Sequence, residues 1–183
     1  MIHHRRGPPR GFTLIEAAIV LAIAAVLLGA AVPDLSRTIA ARGLAVQAGQ
    51  FMATLRFARS EAMKRGEPVT VCAAEPTASG PRCQAGAATD WRSGWIVFVD
   101  RAGRGRMDPG EAILRLQQPL ARTGGVAGTR ATLTYTPGGF TTDAASHYLF
   151  QPPDGAGPAA STVVLVCVSR QGRPRQAPGG VCE

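Results

Sequence analysis

Arg170, Arg173 and Arg175, in the C-terminal stretch S-R-Q-G-R-P-R-Q, have the types and spacing to do binding chemistry. A guanidinium stays charged and presents a planar fork of donors that matches phosphate bidentately. Gly172 permits a tight turn between these arginines, and Pro174 stiffens it. No acid lies between Asp154 and Glu183 to neutralise them. No aromatic residue lies among them, so the expected contact is to phosphate rather than stacked bases, and it is salt-sensitive. The competing reading is a solvent-facing hairpin in an arginine-biased chain, since Lys64 is the only lysine.

Four cysteines, Cys72, Cys83, Cys167 and Cys182, form no C-x-x-C, and His147 is the only histidine beyond the first four residues. Zinc is therefore not expected. An even count fits two disulfides in an oxidising compartment, which implies export. Three pairings are possible. The two that are local in sequence, Cys72–Cys83 and Cys167–Cys182, are favoured over the others and over free thiols, each worth about 3 kcal/mol if unstrained.

Asp100, Asp108 and Glu111 could attract calcium, but Arg101, Arg104 and Arg106 fill the interval and repel a cation. A charge-balanced turn is expected, with no metal and no cofactor. Asp143, Ser146 and His147 are neighbours in sequence only, and no nucleophile-elbow, zincin or phosphate-loop motif occurs. No catalytic residues are assigned, and an enzyme is not expected.

These residues need a scaffold. Phe12–Val32 is a run of 21 residues with a single charge, Glu16. As a helix it would be about 32 Å long, enough to cross a bilayer. A signal peptide has a shorter apolar core. A buried carboxylate costs about 2.5–3.5 kcal/mol on insertion scales, so Glu16 needs a partner. An α-amine freed by cleavage between Gly11 and Phe12 would supply one.

Beyond Pro33, where a bend or break is expected, Leu35, Ile39, Leu44, Ala48, Phe51, Leu55, Ala58 and Ala62 recur at helical spacing. The arginines off this stripe, Arg56 and Arg59 among them, read as a solvated face. Gly66 and Pro68 stop the helix. Strands are then expected over 69–73, 95–99, 113–116, 132–136, 148–151 and 162–168, with loops at 80–89, 102–110, 123–129 and 152–160. The architecture is α+β: a long N-terminal helix, half membrane-spanning and half amphipathic, packed on an antiparallel β-sheet head. The segments are 1–11, 12–33, 34–66 and 67–183.

The G-F-T-L-I-E start followed by an apolar run resembles type IV pilins and type II secretion pseudopilins. The resemblance implies that residues 1–11 are a class III leader, that prepilin peptidase cuts between Gly11 and Phe12, and that Phe12 is N-methylated. It also implies that Glu16 registers one subunit against the next. Three further segments resemble the GspH/FimT family: Leu55–Gly66 with Pro68–Cys72, Gly94–Asp100 with Gly110–Arg115, and Ser169–Arg175. The tail G-R-x-R, here Gly172, Arg173 and Arg175, is similar to that of FimT-type pilins, which implies non-specific binding of double-stranded DNA during uptake in natural transformation; Arg170 is added on proximity alone. The alternative is a GspH-type pseudopilin, or a pilus-priming minor pilin, with protein partners only. Either way the resemblance implies an inner-membrane precursor with a periplasmic head, joined to other pilins through its N-terminal helix in a pilus or pseudopilus.

The formal charge of +8 divides accordingly. Arg5, Arg6 and Arg10 act as an orientation signal and leave with the leader, which makes the mature chain +5 (8 − 3). The tail carries three of these charges, so the body between is nearly balanced.

Overall fold

The computed structural model describes residues 12–77, 80–85, 90–120, 124–143, 145–152, 163–177 and 181–182; within these, the side chains of 28–40 and 76 are left aside. Gly11 and the rest of the expected leader lie outside the described residues, as do parts of the loops expected at 80–89 and 152–160. The chain divides into two compact units, Met1–Thr38 and Ile39–Glu183.

One helix, α1, spans Leu14–Arg65. The chain stays helical through Pro33, where a bend or break is expected from sequence, so of the two the break is absent. A helix interior tolerates proline at the cost of one backbone hydrogen bond when its neighbours hold the chain helical. In the first unit Thr13 caps the helix: its Oγ1 accepts the Glu16 N–H at 3.3 Å, and its carbonyl accepts from Ala17. Phe12, Leu14, Ile15, Ile19, Val20, Leu21, Ile23, Val26 and Leu27 are all exposed. Among the described residues no helix is long and apolar enough to cross a membrane.

In the second unit the expected stripe packs inward. Leu44, Ala48, Phe51, Leu55, Ala58 and Ala62 are buried, each at most 1 % exposed. Gly66 ends the helix at φ +66°, its N–H bonding the Ala62 carbonyl, with Lys64 and Arg65 in the last turn.

Among the described residues nine strands follow, in two antiparallel sheets. The first sheet has the order β2-β1-β3-β4, with β6 also paired to β1. Its strands are β1 (Val69–Thr77), β2 (Gly80–Cys83), β3 (Trp95–Val99), β4 (Ile113–Gln117) and β6 (Thr132–Tyr135). The second sheet has the order β5-β7-β8-β9: β5 (Gly125–Gly128), β7 (Ser146–Gln151), β8 (Val164–Val168) and β9 (Pro174–Ala177). β2, β5 and β9 correct the sequence expectation, which placed their residues in loops or tail. Their Gly, Pro and Arg content carries no strand signal; the pairing partner makes them strands.

The runs W-I-V-F-V and V-L-V-C-V lack alternation because both faces of β3 and β8 are covered. Trp95 and Val97, with Val166 and Val168, join the helix stripe in the main core. Ile96 and Phe98 pack with Cys72, Ala74 and Cys83 on the outer face of the first sheet, and Leu165 and Cys167 pack with Ala177 on that of the second. Phe51 is the hub of the main core, with ring centroids 4.9 Å from Trp95, 4.7 Å from Tyr148 and 5.5 Å from Trp91. Aromatic pairs of this kind add about 0.5–1.5 kcal/mol beyond area burial.

Both local disulfides form. Cys72–Cys83 ties β1 to β2, and Cys167–Cys182 ties β8 to the segment after β9, with Cα separations of 5.5 and 5.7 Å. Each bond therefore anchors on a sheet face turned away from α1.

Candidate nucleic-acid interface

The tail arginines sit on a β-hairpin. β8 supplies a rigid base, since Leu165–Val168 are buried. β9 pairs with it in the register Cys167↔Arg175 and Val168↔Pro174. Pro174 opens an edge strand, a position where the missing N–H is tolerated. The Gly172 N–H closes the turn on the Ser169 carbonyl at 2.8 Å, with Gly172 at φ +73°. The turn is docked as well as closed: the Arg170 carbonyl accepts from the Thr141 N–H at 3.0 Å and from its hydroxyl at 3.3 Å. Cys182 staples the following segment back to β8.

This geometry holds the backbone of Arg170, Arg173 and Arg175 fixed while their side chains stay exposed. It also divides them. Arg173 lines a recess of about 680 Å³ together with Arg56, Arg59, Ser60, Met63 and Lys64 of α1. Arg170 and Arg175 line a different recess, of about 450 Å³, beside His147 and Cys182. Among the described residues no carboxylate lines either recess. The helix arginines, expected on a solvated face, thus join the candidate site. Their spacing along one helix face was visible in sequence, but nothing local pointed to Arg173.

Elsewhere most of the described arginines are partnered. Arg65 pairs with Glu61, Arg92 with Asp90, Arg101 with Glu67, Arg104 and Arg106 with Asp108, and Arg130 with Asp143. Arg115 lies 4.3 Å from the centre of the Phe57 ring. Hydrogen bonds from Arg65 and Arg104 hold the Glu61 and Asp108 carboxyls below the usual carboxylate range. By contrast Arg56, Arg59, Arg170 and Arg173, like Arg42 and Arg82 outside the two recesses, make no ion pair among the described residues.

The acidic turn is self-contained. Asp100 is fully buried and accepts from the Thr70 hydroxyl (2.9 Å), the Arg104 N–H (3.1 Å) and the Gly105 N–H (2.7 Å). Since the Thr70 proton goes to Asp100, the 2.7 Å contact between Thr70 and Thr134 must be donated by Thr134. Glu111 accepts the Arg101 and Asp108 N–H groups. Among the described residues no cluster of potential ligands is arranged to hold a metal. Asp143 is engaged by Arg130, and Ser146 is buried beside an exposed His147, so these three do not form a catalytic relay.

Glu16 is exposed in the first turn of α1, where its charge favours the helix dipole as well as any partner. T-x-x-E at a helix start is the pattern of a capping box, a signal the sequence reading missed. Phe12 is 84 % exposed, and Gly11 lies outside the described residues.

The fold is shared with two crystal structures of the type IV minor pilin FimU from Pseudomonas aeruginosa PAO1. One aligns with TM-score 0.51 at 18 % identity, covering 74 % of this chain and 94 % of that chain. The other has TM-score 0.52 at 20 % identity, covering 76 % and 92 %. No curated protein is significantly similar in sequence. The family profile described as type II transport protein GspH matches residues 47–177, and the prokaryotic N-terminal methylation motif matches residues 8–32. The β-rich head and the C-terminal part of α1 therefore fall within one family, and the chain belongs to the GspH family, with a prokaryotic N-terminal methylation motif at its start.

Proposed function

We propose that this structural pilin subunit is a FimT-like minor type IV pilin that binds double-stranded DNA without sequence preference, for uptake in natural transformation. The observation that carries this reading is the concentration of unpaired arginines on and beside a stapled hairpin, in a head whose other described arginines are largely paired. Arginines carried on a backbone already held in place lose less conformational freedom on meeting phosphate than those of a loose tail.

In this reading prepilin peptidase cuts between Gly11 and Phe12, Phe12 is methylated, and Glu16 pairs with the freed amine of its own or a neighbouring subunit. The exposed apolar side chains from Phe12 to Leu27 support a covered existence for the first unit, in the inner membrane before assembly and against other pilins after it. The head then lies in the periplasm or on the filament.

The printed description of the matching family favours a second reading, a minor pseudopilin of type II secretion with protein partners only. A deletion strain separates the two. Loss of transformation with intact exoprotein release supports the first, and the reverse supports the second. In vitro, the Arg173→Ala/Arg175→Ala protein should shift DNA more weakly at low salt than wild type. Equal binding would sink the tail assignment.

A further inference from the structure

We infer that the recess between α1 and the β8–β9 hairpin is a phosphate track, and that Arg56 and Arg59 of the helix contact the DNA backbone there. The inference rests on the DNA reading above and deepens it: part of the contact moves from the tail to the helix.

Among the described residues four cations line the recess, Arg56, Arg59 and Lys64 from the helix and Arg173 from the hairpin, and no acid does. The nearest helix acid, Glu61, is engaged by Arg65 at 2.8 Å and Lys64 at 3.5 Å. That discounts Lys64 and leaves the three arginines without a counter-charge. Arg59 gives the sharpest indication. Its Nε is buried and finds no hydrogen-bond acceptor. A guanidinium with one donor buried and unsatisfied is poorly solvated, so its recess-lining atoms gain from a phosphate oxygen, a strong acceptor. Arg56 and Arg173 are exposed at the mouth, so the recess combines one partly desolvated fork with two accessible ones.

The length fits a nucleic-acid strand. From residue 56 to residue 64 the helix rises about 12 Å. Over that axial distance one strand of B-DNA presents about three phosphates. The recess that holds Arg170 and Arg175 lies on the same hairpin, so a backbone bound at the helix can continue along it.

The test is the salt dependence of binding by the full chain in detergent micelles to a double-stranded oligonucleotide, read by fluorescence anisotropy. Each phosphate contact contributes about 0.9 to the log–log slope. Arg56→Ala/Arg59→Ala should flatten the slope by about 1.8 and weaken binding at low salt about tenfold. Because Arg59 is partly buried, exposed Arg56→Ala is measured alone; it should flatten the slope by about 0.9 with an unchanged melting temperature. Arg82→Ala, an arginine outside the track, should leave the slope as it is.

If the helix variants bind as wild type while Arg173→Ala/Arg175→Ala weakens binding, the track is wrong and the tail reading stands. If wild type binds no DNA, both readings fall. If Arg82→Ala costs as much as Arg56→Ala, net charge explains the binding and the track is overturned. Helix variants that bind DNA normally but fail to enter filaments would assign the recess to a neighbouring subunit.

Discussion

Gly172 seats the tail hairpin on Tyr135. A Cβ at this glycine would stand 2.9 Å from Tyr135 Cε1 and overlap the carbonyl of Gly139. The turn that spaces Arg170 from Arg173 is thus pressed against the end of β6, and β6 is paired with β1 in the other sheet. Glycine does two things here. It allows φ +73°, and it allows contact closer than any side chain permits.

Gly172→Ala should therefore destabilise the head by about 3 kcal/mol, from left-handed backbone strain and from the displaced contact together. For a chain of this size that lowers the melting temperature by about 6–12 °C. An unchanged melt would mean that the hairpin does not rest on Tyr135.

The main core was legible in sequence because it obeys a period. Leu44, Ala48, Phe51, Leu55, Ala58 and Ala62 follow the helical repeat, and all are buried. β3 and β8 were legible as apolar runs too short for helices. β2 was not, because Gly80, Pro81 and Arg82 carry no strand preference; Cys83 is held to β1 by its disulfide, and pairing follows. β5 was missed for the same reason, being a glycine-flanked edge strand. Of the candidate site, the tail arginines were legible by adjacency. That Arg173 shares a recess with Arg56 and Arg59 is a long-range relationship, and no local pattern encodes it.

Asp100 is a test of the turn that joins β3 to β4. Its carboxylate holds two backbone N–H groups and the Thr70 hydroxyl in a fully buried setting. Removing it leaves those donors without an acceptor, at about 1–3 kcal/mol for each buried group. Asp100→Ala should cost about 3 kcal/mol or more in chemical denaturation. Asp100→Asn, which keeps one acceptor oxygen, should cost less. Equal losses would show that packing, not hydrogen bonding, is what Asp100 supplies.

The two disulfides should separate in their effects. Their sequence separations are 11 and 15 residues, so chain entropy assigns each about 3 kcal/mol. Cys167→Ser/Cys182→Ser should speed hydrogen exchange in β9 and leave β1 and β3 protected. Cys72→Ser/Cys83→Ser should do the reverse, exposing β2. Uniform loss of protection in either variant would mean that the staples act on the whole head and not on their own sheet.

The alkaline limit of the fold follows from its two tyrosines. Tyr135 and Tyr148 are fully buried, and neither hydroxyl finds a partner among the described residues. Burial, the dominant cause, raises both phenols well above their ordinary value; Arg59 opposes it slightly at Tyr135 and Arg130 at Tyr148. In the unfolded chain both ionise near pH 10. The folded state then holds more protons than the unfolded state, so stability is complete below about pH 10 and falls as pH rises above it, by up to about 2.7 kcal/mol per pH unit for the pair. Since these are the only tyrosines in the chain, tyrosinate absorbance should stay absent until the head unfolds and then appear in one step with loss of helix signal. Tyr148→Phe removes an unpartnered buried hydroxyl, so it should raise stability at neutral pH by about 1 kcal/mol and roughly halve the alkaline slope. Gradual tyrosinate absorbance with the fold intact would show that water reaches at least one of the two rings.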